Sequence, residues 1–234
     1  MSRQWCISKV DGQYLANLEN ILRLYGLPYD PEYIIICFDE RPCFLIGDLK
    51  TPIPMQVGKH GCKKIDYQYE KMGSCALLAA IEPLTGKRFA KVYERRTAAE
   101  YTDFMEYLIQ QYPNAKKIIV IQDNLNTHKK GSFYEHRQAS IAAEMADKLE
   151  FHYTPKCSSW LNMIEIEFSA IARTALNKRI PTIELLTEQI NAIVKERNDK
   201  EIKIKWQFSI ETARKTLESK YHKVNKENKI IEII

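Results

Sequence analysis

Three acidic side chains, far apart in the chain, stand where oxygen-ligand chemistry could be done. Asp39 follows the apolar run YIIICF, Asp123 follows KKIIVIQ, and Glu165 lies within SSWLNMIEIEF. Carboxylate-only donor sets suit magnesium or manganese, hard cations that keep several waters and bind through a few carboxylates plus substrate phosphate oxygens. A pair of such ions about 3.5–4 Å apart stabilises both the attacking and the leaving oxygen of an in-line phosphoryl displacement. If the three acids converge, the chemistry open to them is phosphodiester cleavage or strand transfer. With 30 acidic residues in the chain some such triple can always be picked, so the neighbours carry the selection. Asp123 opens DNLNTH, where Asn124, Asn126, Thr127 and His128 could hold the carboxylate, a metal water or a phosphate. Asn124, adjacent on the same turn, is the more natural holder than His128, which could equally pack as a neutral turn residue. Before Glu165 stands TPKCSSWLNMIE, in which Pro155 and the serines set up a helix start, itself a phosphate-binding place. Glu167 is a rival, but two residues along a helix rotate by about 200°, so only one of the pair can face the same ion. Glu40 is a candidate supporting neighbour. Asn162, off the Trp160 and Ile164 stripe, is a candidate for orienting Glu165, and Trp160 is expected to anchor the helix in the core.

The elements that must position these acids follow from periodicity. Residues 11–25 repeat apolar side chains at Leu15, Leu18, Ile21, Leu22 and Tyr25, the spacing of an amphipathic helix, ended by Gly26 and Pro28. YIIICFDE (33–40) predicts a buried strand with Asp39 at its C-terminal end, and CFLIGD (43–48) its hairpin partner. Residues 49–72, with two prolines, two glycines and five lysines, predict an extended basic loop that carries Lys50, Lys59, His60, Lys63 and Lys64. SCALLAAIEP and RFAKVYERR, joined by LTGK with Gly86 at the turn, predict a hairpin. Residues 98–111 predict a helix closed by Pro113, and KKIIVIQDN a buried strand that ends in Asp123. A helical stretch near 133–148, a short strand LEFHY (149–153) and a helix from Ser159 follow, the last capped by Ser158 or Ser159 with Trp160, Ile164, Phe168, Ile171 and Ala175 on its inner face. Glu165 would then lie one to two turns inside that helix. A further helix runs from Pro181 to about Arg197. This order predicts an α/β fold, a mixed central sheet flanked by helices, with catalytic groups gathered at strand ends.

Composition sets the outer limits. The chain has 234 residues, 45% hydrophobic and 28% charged, within the range of globular proteins, which excludes disordered, collagen-like and coiled-coil classes. The longest apolar runs, Tyr33 to Phe38 and Cys75 to Ile81, fall far short of the roughly 20 residues of a membrane span, and MSRQWCISKVDGQ lacks a signal-peptide apolar stretch. A cytoplasmic protein with no membrane partner is expected. The six cysteines, at positions 6, 37, 43, 62, 75 and 157, form no CxxC pair and are expected to be reduced, buried thiols. A net charge of +5 permits nucleic-acid binding without demanding it.

Several segments together go further. CFDE (37–40), QDNLNTH (122–128), YTPKCSSWLNMIEIEFS (153–169) and the RN pair at 197–198 resemble the catalytic half of bacterial insertion-sequence DDE transposases of the mariner superfamily, insertion-sequence family 630. DYQYEKMG (66–73), EPLTGKR (82–88) and KWQFSIETARKTL (205–217) agree as well, so the resemblance runs from about Trp5 to Tyr221. It implies an RNase H-like fold, two Mg2+ or Mn2+ ions, and Asp39, Asp123 and Glu165 as the catalytic, metal-holding triad. Lys156 joins Glu40, Asn124, His128 and Asn162 as a candidate for supporting or DNA-contacting roles. The stretch from Asp123 to Glu165 is longer than in mariner relatives, which predicts extra turns in the 129–148 region. Relatives commonly have histidine at the position of Cys157. The implied partners are DNA, as element ends and as target, and a second copy of the chain, with the basic loop a candidate for either a dimer contact or a flanking-DNA contact. An N-terminal helix-turn-helix portion is expected from an upstream reading frame, because nothing before Asp11 is long enough to form one. The expected division is a 1–29 linker and helix, a 30–200 catalytic domain and a 201–234 helical tail. The implied function is metal-dependent phosphodiester hydrolysis and strand transfer in transposition. The alternatives are an RNase H-like nuclease without strand transfer and an inactive transposon-derived DNA-binding module.

Overall fold

The computed structural model describes residues 10–59, 61–125 and 128–228. Trp5, Cys6, His60, Asn126 and Thr127, all named above, lie outside the described residues. Helix α1 (Gly12–Tyr25) leads into strand β1 (Tyr33–Asp48), followed by β2 (Tyr69–Glu82), β3 (Lys87–Tyr93), α2 (Ala98–Gln110), β4 (Lys117–Gln122), α3 (Gly131–His136), α4 (Ala139–Lys148), β5 (Leu149–Tyr153), α5 (Ile164–Thr174), α6 (Ile183–Asp199), α7 (Ile210–Thr216) and α8 (Glu218–Val224). The strands form one five-stranded sheet in the order β3-β2-β1-β4-β5. β1 pairs antiparallel with β2 and parallel with β4, so the sheet is mixed as expected. No helix among the described residues is long and apolar enough to cross a membrane.

Alternation along β1 sends successive side chains to opposite faces and creates two cores. Ile35, Cys37, Cys43 and Leu45 pack under α1, α5 and α6, whereas Ile34, Ile36 and Phe38 pack against α2 and α4. On the first face Leu18 and Ile21 of α1 are fully buried; each such side chain contributes about 1.5–3 kcal/mol. α1 starts where Asp11 accepts the Tyr14 N–H, and α2 where Thr97 and Glu100 form a capping box. The β2–β3 turn depends on Gly86, whose φ is +82° and whose missing side chain lets the Ile202 carbonyl approach; a Cβ there would meet that oxygen at 2.8 Å.

Several expectations are corrected. Residues 33–48 are one strand, not a hairpin, and Asp39 sits in its middle. The polar run Asp39, Glu40, Arg41, Pro42 reads locally as a turn, yet β2 pairs through it residue by residue, with Asp39 opposite Ala79 and Pro42 opposite Ala76. Pairing with β4 ends at Cys37, so past that point one edge of β1 is open and can accept a proline without a broken ladder bond. The loop after β1 is shorter than expected because β2 begins at Tyr69. The 133–148 stretch is two helices, α3 and α4, broken where Arg137 and Gln138 are extended. Residues Ser159–Leu161 form only a 3-10 turn, and α5 starts at Ile164 after Met163, with no side-chain cap. Ser158 instead bonds the Tyr14 hydroxyl at 2.7 Å. Trp160 is 42% exposed and leans edge-on against Phe208, so it is not a core anchor. Of the described cysteines, all free, Cys37, Cys43 and Cys75 are buried, but Cys62 and Cys157 are exposed.

Candidate active site

The site opens where the sheet splits. β4 stops pairing with β1 at the Cys37–Ile121 position, so the chain of each is free to deliver an acid just beyond. Asp39 is two residues past Cys37 and, by alternation, on the face covered by α1 and α5. Asp123 follows the last residue of β4. Glu165 is the second residue of α5, in its first turn and not deeper, where a carboxylate also suits the helix dipole. Asn162 is what brings helix and strand together. Its side chain is buried and donates to the Phe38 carbonyl at 2.8 Å, while its own carbonyl accepts the Glu165 N–H at 3.1 Å. α1 secures the same segment through Tyr25, whose hydroxyl donates to the Leu161 carbonyl at 2.8 Å.

The electrostatics centre on Asp39. Burial raises the Asp39 carboxyl, the Glu40 N–H opposes this, and the charges of Glu40, Asp123 and Glu165 raise it again, to about 7. Burial also raises Glu165, countered by Arg41. An acid whose ionised form is disfavoured by neighbouring acids, as Asp39 is by Glu40, Asp123 and Glu165, is relieved by a bound cation.

Asp123 is lowered instead, foremost by its hydrogen bond with His128. The His128 ring bridges two carboxylates, with Nδ1 2.8 Å from Asp123 Oδ1 and Nε2 2.9 Å from Glu40 Oε2. Burial favours its neutral form, but the bonds to Asp123 and Glu40 outweigh that and push it up to about 9. Glu40 also meets Arg96 at 3.3 Å. Among the described residues, Glu40, Asp123 and His128 are the one group of three potential ligands whose atoms all lie within 4.8 Å of one another. Asp39 stands outside that tight group but within reach of the charges of Glu40 and Asp123, and of Glu165 as well. The ranking of Asn124 over His128 is therefore reversed: Asn124 is exposed and His128 holds the acid. The ring contact had no signal in the spacing alone, because His128 and Glu40 meet only once β1 and β4 are side by side.

Glu167 is turned the other way. It is 2% exposed and sits between Arg88 Nε and Arg197 Nε, each at 2.7 Å, on the far side of α5 from the acids of the site. Asn198 exchanges bonds of 2.9 and 3.0 Å with the Arg88 backbone, so the RN pair at 197–198 serves this buried ion cluster. Lys156 is exposed in the loop before α5, beside Cys157, whose φ of 60° is strained for a residue with a side chain. Within the basic loop Met55, Val57 and Tyr67 are strongly exposed.

Known proteins place this architecture. The chain matches the model of the DDE superfamily endonuclease over residues 34–187. No functionally curated protein matches it in sequence. Solved structures similar to it include the Mos1 transposase paired-end complex with left transposon end (15% identity, TM-score 0.55, 99% of this chain and 67% of that one). The Mos1 mariner paired end complex with Mn (15%, 0.55, 99% and 68%) and a pre-cleavage Mos1 transpososome (14%, 0.56, 99% and 68%) are similar as well. At these identities the likeness is one of fold, and it bears out the RNase H-like expectation. The match to the family model covers more than half of the sequence and spans Asp39, Asp123 and Glu165, so the chain belongs to the DDE superfamily of endonucleases.

Proposed function

We propose that this chain is the catalytic domain of a mariner-type DNA transposase, with Asp39, Asp123 and Glu165 holding two Mg2+ or Mn2+ ions. The observation that carries the reading is the family match across Asp39, Asp123 and Glu165, together with a half-buried Asp39 carboxyl that the charges of Glu40, Asp123 and Glu165 all raise. The residues fit the ions: the donors are hard carboxylate oxygens, and their mutual repulsion is what divalent charge offsets. Bound there, the ions would supply Lewis-acid stabilisation to the attacking and leaving oxygens of a phosphodiester. The chain's own part is positional. Asn162 sets the distance between the Asp39 strand and the Glu165 helix, and His128 fixes Asp123. That Glu167 is tied up by two arginines supports Glu165 as the third ligand. This chemistry would serve DNA cleavage at an element end and attack of the freed 3′-hydroxyl on target DNA. The Mos1 neighbours were solved with transposon ends, with Mn, with Mg and as a strand transfer complex, which supports DNA as the partner. The exposed apolar side chains of the loop after β1, Met55, Val57 and Tyr67, suit burial against a second copy of the chain.

The test is nicking of element-end DNA in Mg2+. Asp123→Asn should abolish it with the fold intact, and retained cleavage would remove the assignment. A covalently joined product with target DNA separates a transposase from a simple nuclease.

A further inference from the structure

We propose that His128 and Glu40 are positioning residues that commit one oxygen of Asp123, Oδ1, to the protein and leave Oδ2 as the atom with which it binds metal. This rests on the reading of Asp39, Asp123 and Glu165 as a cation site and deepens it.

Among the described residues, the bonds to the Asp123 carboxylate all go to Oδ1: the His128 ring at 2.8 Å and the Leu125 N–H at 3.2 Å. The ring cannot turn away. Its other nitrogen is 2.9 Å from Glu40 Oε2, and the two side chains are only 3% and 4% exposed. Tyr101 stacks on it at 4.7 Å and Phe38 meets it edge-on at 5.4 Å. The His128 carbonyl accepts from Gln122 Nε2 at 3.0 Å, and Gln122 in turn accepts the Tyr101 hydroxyl at 3.0 Å. Alternation places Phe38 and Glu40 on the α2 face of β1 and Asp39 on the α5 face, so the ring supports Asp123 from behind the sheet. A histidine ligand needs one ring nitrogen free to face the ion. Here Nδ1 is hydrogen-bonded to Asp123 and Nε2 is in ion-pair contact with Glu40, so neither nitrogen is open to an ion, and His128 orients a ligand and is not one.

The consequence is selectivity. An acid with one oxygen withdrawn suits the octahedral demands of Mg2+ and Mn2+, whereas a carboxylate free to bind through both oxygens suits the larger, more loosely coordinated Ca2+. Removal of outer partners of a metal ligand typically weakens metal affinity by about 10–100-fold.

The experiment titrates the full chain with Mn2+ followed by electron paramagnetic resonance, with Mg2+ and Ca2+ as competitors. Wild type should bind Mn2+ with no directly coordinated nitrogen in its spin-echo modulation. The double variant His128→Phe/Glu40→Gln keeps ring shape and removes the buried charge together with its partner. It should stay folded, bind Mn2+ about 10–100-fold more weakly, and lose preference for Mg2+ over Ca2+. Nitrogen coupling to bound Mn2+ in wild type would overturn the inference, and that measurement needs no variant. A folded double variant with unchanged affinity and unchanged ion preference would overturn it too, because a purely structural pair predicts that result. Absence of Mn2+ binding by wild type, or full binding by Asp39→Asn, would defeat the three-carboxylate reading and this inference together; the other two results defeat the inference alone.

Discussion

Glu167→Ala is the substitution whose cost the structure specifies most closely. The carboxylate pins three elements, α5, β3 and α6, through Arg88 and Arg197 at 2.7 Å each, with side-chain exposures of 3% for Glu167, 1% for Arg88 and 22% for Arg197. Deletion of one partner of a buried ion pair strands the other charge and costs about 3–5 kcal/mol. Arg88 would keep the Gly86 and Ile202 carbonyls as acceptors, and Arg197 is partly in water, so the lower end applies, about 3–4 kcal/mol. For a chain of this size each kcal/mol moves the melting temperature by about 2–4 °C, which gives a fall of roughly 6–16 °C. Glu165→Ala removes a partly exposed carboxylate already raised by burial, and its melting temperature should stay level or rise slightly while Mn2+ binding is lost. Thermal and urea unfolding of both variants in EDTA, alongside Mn2+ titration, decides between the two glutamates. If Glu167→Ala melts within a degree of wild type, or loses Mn2+ binding while Glu165→Ala retains it, the reasoning is refuted and the roles exchange.

Two other outcomes follow from charge. Because the Asp39 carboxyl stands at about 7 against an ordinary 3.8, the folded chain holds a proton that the unfolded chain releases, so stability falls as pH rises across that window. Asp39→Asn should therefore melt higher than wild type in EDTA above neutral pH, with the gain vanishing toward acid, and should no longer respond to Mg2+; a lower melting temperature there would count against a buried, mutually repelling acid. Glu19 accepts two bonds of 2.8 Å from Arg214 and one from Tyr221, and the Arg214 bond holds its carboxyl below the ordinary carboxylate range. Its stabilisation is complete above that range and lost as pH falls through the lowered value, so the protection of amides in α7 and α8, taken against the intrinsic exchange rate at each pH, should fall on acidification, and already at neutral pH in Glu19→Gln. Exchange in 210–224 that ignores the substitution would show that this contact does not dock the helices.

What the residues determined locally was each element whose signal is complete within it. The β2–β3 hairpin with Gly86, the helices α1, α2 and α6, and strand β4 leading up to Asp123 all fall close to where periodicity and turn residues put them. The order of these elements was enough for a mixed sheet, and the motif residues were enough for the family. What only the folded chain decided were matters of facing and partnership. Asp39 to Pro42 look like a turn until β2 is laid beside them. Glu165 and Glu167 are both acids on one helix turn, and the choice between site and core comes from Arg88 and Arg197, which arrive from β3 and α6. His128 and Glu40 are neighbours only because β1 and β4 run parallel, and Trp160 is outside because α5 begins three residues after the 3-10 turn. Local propensity is settled by a few adjacent residues; which side chain meets which depends on strand register and helix rotation, and those are set by contacts between segments that the sequence keeps far apart.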